Sequence, residues 1–261
     1  AAVEDETAVS LTGCTLGGFV DAQCGTISVP ENYDAPDGRS LDIAIAVVPA
    51  VSSTPAEDPV FLLAGGPGQA AIEAFPFILG RLDARNQSRD LVLVDQRGTG
   101  DSNALDCAPF VEELELDADE DEVFAALDAC RDSLGSENDL SQYITDIAMQ
   151  DLDAVREMLG YEQINLIGTS YGSRAAQRYM QLYPERVRTA VLNAVTSPEL
   201  ILQLQAPQDG QRALGLLFER CAADAACAEA FPNLEGTLDE LLAMVAGGME
   251  TTIVRPSTGE M

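Results

Sequence analysis

The sequence predicts an α/β fold with a doubly wound, mostly parallel sheet. Three observations carry that prediction. Four short runs, at residues 60–63, 91–94, 164–167 and 190–192 with Val187, are apolar on both faces, as central parallel strands under helices must be. Helix-period stripes separate them, the clearest being Ala148, Leu152, Val155 and Leu159. Strand–helix–strand repetition of this kind forms a sheet with right-handed crossovers.

Taken in order, the first thirty residues read as polar and Gly-rich, closed by Ile27-Ser28-Val29-Pro30. Residues 41–47 alternate and then turn apolar, which predicts a strand with one partly exposed face. Ser52-Ser53-Thr54-Pro55 is a turn-rich linker. The run at 60–63 leads into Gly65-Gly66-Pro67-Gly68, and the run at 91–94 ends at Asp95. Gly160 stops the helix that carries the Ala148 stripe. A further helix is expected from about Gly172 to Tyr183, ending before Pro184. Residues 105–140 are acidic and read as a surface excursion clipped through Cys107 and Cys130. Residues 197–246 are helical and rich in Leu and Ala, where another strand–helix unit would otherwise follow; an α/β enzyme can insert a lid there. A last strand is expected at 251–255, with a turn at 256–259. The expected division is a core over residues 1–196 and a helical addition over 197–261.

Composition narrows the function. Of 261 residues, 44 are acidic and 14 basic, for a net charge of −30. All the basic residues are Arg, and there is no His and no Trp. At 46% hydrophobic this is a globular chain rather than an acidic tail. Its charge repels phosphate backbones and anionic lipid, which argues against nucleic acid and against electrostatic membrane docking. No run of 18 apolar residues predicts a membrane span. Without histidine, this chain supplies no imidazole to catalysis and no His-ligated metal site.

Six cysteines, at 14, 24, 107, 130, 221 and 227, allow fifteen pairings. Proximity favours Cys14–Cys24, Cys107–Cys130 and Cys221–Cys227. The even count favours three disulfides and an oxidising compartment, hence a secreted or periplasmic protein; six buried thiols in a cytosolic one is the other reading. The opening Ala1-Ala2-Val3-Glu4-Asp5-Glu6 reads like a mature end left by signal cleavage.

Three motifs carry chemistry. Gly168-Thr169-Ser170-Tyr171-Gly172 is a GxSxG pentapeptide between a strand and a helix, the context of a nucleophile elbow. Ser170 is therefore the candidate nucleophile. Gly65-Gly66-Pro67-Gly68 follows the strand at 60–63, and its glycines let backbone N–H groups face a substrate. An acyl-transfer site needs two such donors for the oxyanion. The N–H of Tyr171 is one; Pro67 has none to offer, so Gly66 is the other, with Gly65 and Gly68 behind it. The third motif is Asp95-Gln96-Arg97-Gly98-Thr99-Gly100-Asp101-Ser102. Its Asp95 and Arg97 are read as structural, tying the loop behind the nucleophile.

In this order the motifs resemble the α/β-hydrolase superfamily, and within it the prolyl aminopeptidase branch. That branch has a His-Gly-Gly-Pro-Gly loop, an Asp-Gln-Arg-Gly segment with Gly and Ser after it, and a Gly-x-Ser-x-Gly elbow. Here Ala64 stands in place of the loop histidine. The cysteine layout and Cys24-Gly25-Thr26-Ile27-Ser28-Val29-Pro30 look most like the secreted tripeptidyl-aminopeptidase-like group. The resemblance implies a peptide substrate cleaved behind a free N-terminus, or an ester, and no cofactor or metal. It implies that the helices from about Ser197 begin a cap domain. It also implies later core strands bearing the triad Asp and then His, neither of which this chain holds.

Three readings follow. In the first, the chain is the nucleophile part of a serine hydrolase, and a second polypeptide completes the fold with Asp and His. In the next, it is a hydrolase-like binding module without activity of its own. In the last, Ser170 works with a carboxylate or another unusual base.

Overall fold

The computed structural model describes residues 10–79, 86–112, 114 and 118–248. The expected strand at 251–255, its turn at 256–259 and the first six residues lie outside them. The chain divides into two compact units, Ala1–Pro198 and Glu199–Met261.

The first unit is built on one seven-stranded sheet. Its elements, in chain order, are β1 (Thr12–Leu16), β2 (Val20–Pro30), β3 (Ser40–Val48), β4 (Val60–Leu63), α1 (Ala71–Ala74), α2 (Pro76–Leu79), β5 (Leu91–Val94), α3 (Ala108–Val111), α4 (Glu120–Gly135), α5 (Thr145–Met158), β6 (Ile164–Thr169), α6 (Tyr171–Leu182) and β7 (Val187–Asn193). The strands run in the order β1-β2-β3-β5-β4-β6-β7. The pairs β5–β4, β4–β6 and β6–β7 are parallel, and β1–β2, β2–β3 and β3–β5 are antiparallel. The expected parallel strands are all present, β6 longer than read by two residues.

The hairpin of β1 and β2 is what the sequence reading missed, taking this region only as polar and Gly-rich. Leu16 and Ala22 are buried on one face of the sheet and Ile27 and Val29 on the other, among exposed polar residues. The buried side changes along β2, and Gly and Thr dilute the pattern further, so composition hides it. A disulfide between Cys14 and Cys24 ties the two strands together.

Two apolar layers flank the sheet. One face, with Ile43, Phe61, Val92 and Leu166, packs against Met149, Leu152 and Val155 of α5 and Ala175, Ala176 and Tyr179 of α6. Each such fully buried large side chain stabilises the fold by about 1.5–3 kcal/mol. The other face, with Ala46, Leu62 and Leu93, packs against Ala71 of α1 and Phe75. Helix α5 closes as the sequence suggests: Gly160 N donates to Glu157 O (2.9 Å) and Tyr161 N to Arg156 O (3.0 Å), the paired bonds of a Schellman cap. Helix α6 ends at Leu182, just short of Pro184.

The acidic excursion holds α3 and α4, joined by the Cys107–Cys130 disulfide. Asp119 caps α4 by accepting from Glu122 N (2.9 Å), while Glu122 accepts from Asp119 N (3.1 Å). The second unit is helical, with α7 (Leu202–Ala223), α8 (Ala225–Ala230) and α9 (Leu234–Ala246), and carries the Cys221–Cys227 disulfide. Among the described residues no helix is long and apolar enough to cross a membrane.

Candidate active site

The parallel register brings the motifs to one edge. Leu63 of β4 pairs with Gly168 of β6, and Leu62 with Leu93 of β5. The three loops that leave these strands therefore emerge side by side at their carboxyl ends, where open α/β sheets place their sites.

Ser170 is the junction residue between β6 and α6. Its backbone lies at φ 56, ψ −121, a region that non-glycine residues rarely occupy and that tends to mark functional positions. The turn is held by Ser170 N donating to Asn193 O (3.0 Å) and by Ser173, whose Oγ donates to Ser170 O (2.6 Å). The flanking glycines are there for space. A Cβ on Gly168 would strike the Gly172 carbonyl, and one on Gly172 would strike the carbonyl of Leu63 and lie 2.7 Å from that of Ala64. Strand β4, the β6 exit and the start of α6 thus approach to backbone contact.

The Gly65–Gly68 loop lies against the serine. A Cβ on Gly65 would sit 3.6 Å from Ser170 Cβ. Gly66 has φ +100, and a Cβ there would meet the amide nitrogens of Gly68 at 2.9 Å and Gln69 at 3.1 Å. Only a residue without a side chain fits that turn. Tyr171, the first residue of α6, has an N–H in the turn that lacks intrahelical acceptors. Its side chain is pinned: the hydroxyl lies 2.9 Å from Thr145 Oγ1 and donates to Gln96 Oε1 (3.4 Å).

Asp95 and Arg97 are structural, as the sequence reading has them. Asp95 is buried and accepts from Ile72 N (2.9 Å) and Asp101 N (3.3 Å). It therefore holds the start of α1 and fixes the far end of the glycine loop. Burial pushes its pKa up from the ordinary value, against the pull of the Ile72, Asp101 and Ala71 amides. Its neighbour Ser102 accepts from Ala44 N (2.8 Å) and donates to Asp95 O (2.7 Å), locking the loop to β3.

Arg97 makes a buried bidentate pair with Asp151 of α5, at 2.6 and 2.7 Å. Its guanidinium also donates to the carbonyls of Glu31 (2.6 Å), Pro30 (3.2 Å) and Gln142 (3.3 Å). Tyr33 donates to Asp151 Oδ1 (2.9 Å). Burial raises the Asp151 pKa, and the hydrogen bonds and charge of Arg97 oppose it. Sequence reasoning missed Asp151. The signal was available: a carboxylate three residues after Ala148 and one before Leu152, on an otherwise apolar helix face.

A cleft of about 390 Å³ opens beside these loops, lined by Pro67, Gly68, Gln96, Tyr143, Thr145 and Tyr171 among others. Its walls combine a glycine loop, amide and hydroxyl groups, and a tyrosine ring. Among the described residues no cluster of His, Cys, Asp and Glu could hold a metal ion.

Comparison with known proteins gives these features a context. Residues 58–219 match the model of the alpha/beta hydrolase fold. The serine protease Hip1 of Mycobacterium tuberculosis is 30% identical over 224 residues, covering 79% of this chain and 42% of that protein. The tripeptidyl aminopeptidase of Streptomyces lividans is 27% identical over 194 residues, covering 67% of this chain and 36% of that protein. The crystal structure of proline iminopeptidase from Mycobacterium smegmatis aligns with a TM-score of 0.45 at 18% identity, over 80% of this chain and 56% of that one. The chain thus spans well under half the length of these two curated relatives.

Proposed function

The chain belongs to the alpha/beta hydrolase fold family, and on that premise we propose that it is the nucleophile-bearing part of a serine hydrolase acting on peptide bonds, in the manner of an aminopeptidase, or on esters. The observation that carries the reading is the Ser170 backbone, φ 56 and ψ −121, at a strand-to-helix turn whose flanking glycines admit no side chain. Such strain is retained where a nucleophile must stand clear of the sheet.

Ser170 Oγ attacks the acyl carbonyl of the substrate. The amides of Tyr171 and Gly66 donate to the oxyanion, and water then releases the acyl-enzyme. The proton of Ser170 needs a base, and this chain has no histidine. The triad Asp and His come from a segment outside this chain, either a continuation or a second polypeptide. Two observations support that. The relatives are more than twice as long as the region they share with it. Among the described residues strand β7 also ends the sheet, with Val191 half exposed, whereas β4 and β5 are buried throughout. The second unit begins the cap that selects substrate. The disulfides fit a secreted or periplasmic protein.

The absence of histidine also favours the second reading, a module that binds but does not hydrolyse on its own. A fluorophosphonate probe separates the two. In the protein that includes the completing segment, Ser170 is labelled, and Ser170→Ala lowers hydrolysis of peptide or ester substrates by on the order of 10⁴–10⁶-fold. Unchanged turnover in Ser170→Ala would remove Ser170 as nucleophile.

A further inference from the structure

We propose that Gln96 and Thr145, joined through the Tyr171 hydroxyl, form a subsite in the cleft beside the Ser170 elbow that recognises an amide unit of a peptide. The proposal rests on the hydrolase reading above and narrows its substrate from peptide or ester to peptide; the binding it predicts does not need catalysis.

Three separate elements supply the side chains. Gln96 stands in the loop that leaves β5, Thr145 is the first residue of α5, and Tyr171 is the first of α6 and directly follows Ser170. All three are half-buried, and they line one cleft with Pro67 and Gly68 of the glycine loop. The Tyr171 hydroxyl ties them together, 2.9 Å from Thr145 Oγ1 and 3.4 Å from Gln96 Oε1. A substrate whose carbonyl rests on the glycine loop therefore has this trio beside it.

Proton counting fixes what the trio offers. A tyrosine hydroxyl has a single proton to give, and Tyr171 gives it to Gln96 Oε1. Thr145 then supplies the proton of the shorter contact, which leaves the lone pairs of its Oγ1 to accept. The Gln96 amide nitrogen is a donor as well, and among the described residues nothing accepts from it. Among those residues no buried side-chain nitrogen or oxygen lacks a partner, so this nitrogen opens to the cleft. The wall thus presents a donor and an acceptor, neither of them charged. The one ionic side chain among the described residues that line the cleft, Arg97, is already held by Asp151 and by the carbonyls of Pro30, Glu31 and Gln142. The cleft therefore suits a neutral group with both a carbonyl and an N–H. A peptide unit has both. An ester has the carbonyl alone and brings no donor to the Thr145 oxygen, and a site built to bond an N–H discriminates against a ligand without one.

Calorimetric titration of the full chain as Ser170→Ala tests the subsite without turnover. The ligands are Ala-Ala-Ala-amide and its two depsipeptides, in each of which one internal amide is replaced by an ester. At least one depsipeptide binds about three- to tenfold more weakly than the peptide, the worth of a neutral hydrogen bond. Adding Thr145→Val removes that preference by weakening the peptide alone, with the circular dichroism spectrum unchanged, and Thr145→Ser keeps it. A merely structural Thr145 would instead weaken every ligand together. Gln96→Leu weakens peptide and depsipeptide alike, because both carry the carbonyl. Equal affinities for the peptide and both depsipeptides, a preference that survives Thr145→Val, unchanged binding in Gln96→Leu, or no binding at millimolar peptide would overturn the proposal. Amide-selective binding without any hydrolysis by the completed protein would sink the hydrolase reading and leave the subsite standing. Hydrolysis without a Thr145-dependent preference would do the reverse.

Discussion

Two aspartates of helix α5 each pair with an arginine from another element, with the same geometry in opposite surroundings. Asp151 meets Arg97 at 2.6 and 2.7 Å with side chains 2% and 1% exposed. Asp146 meets Arg178 at 2.7 Å on both oxygens with side chains 47% and 35% exposed. Distance does not separate them; solvent does. The exposed pair is screened by water and contributes about 0–1 kcal/mol. The buried pair has lost its water, so each member depends on the other, and the rest of the loop depends on both. It joins the end of β2, the loop after β5 and α5, the elements that back the candidate site.

The sharpest way to break this contrast is Asp151→Ala. It strands the Arg97 guanidinium in the interior and is expected to cost about 3–5 kcal/mol in urea unfolding. Asp146→Ala should cost less than about 1 kcal/mol in the same measurement. Equal losses would mean that burial does not set the difference.

A double replacement, Arg97→Met with Asp151→Leu, sharpens it. Replacing a buried pair by apolar residues is often neutral or stabilising. Here Arg97 also serves the carbonyls of Pro30, Glu31 and Gln142. Leaving buried carbonyls unsatisfied costs about 1–3 kcal/mol each, so the double variant should remain less stable than the parent by at least about 2 kcal/mol. Parental stability in the double variant would reduce Arg97 to a simple ion-pair partner.

The smallest effect lies in pH. The Arg178 hydrogen bonds hold the Asp146 carboxyl below its ordinary value of 3.8. Folding therefore gains from its ionised form above that ordinary value, and the gain is lost as pH falls through the lowered one. Asp146→Asn should be slightly less stable than the parent at neutral pH, by a few tenths of a kcal/mol for an exposed pair, and equal to it near about pH 2. A gap that persists in acid would point to packing rather than charge.

The central strands and the elbow were legible because their signals are local. Four apolar residues in a row at 60–63 and at 91–94 have few solutions other than a covered strand, and both runs became strands at the same boundaries. GxSxG between a strand and a helix states its own turn. The β1–β2 hairpin was not legible, because its inward residues are spaced among Gly, Thr and Asp. The role of Asp95 was legible only in kind: that it ties a loop follows from its place in the motif, whereas its target, the first turn of α1, required the fold.

By itself the sequence determined the four parallel strands, the place of the turn at Ser170, the local disulfide pairs and the lack of an imidazole. These depend on residues near one another, where backbone sterics and side-chain period act directly. Only the tertiary structure decided that Asp151 answers Arg97 across 54 positions and that Gly65 lies against Ser170. Those outcomes depend on which distant groups the sheet brings together and how much water it excludes from them, and charge pairing changes its worth several-fold with that exclusion.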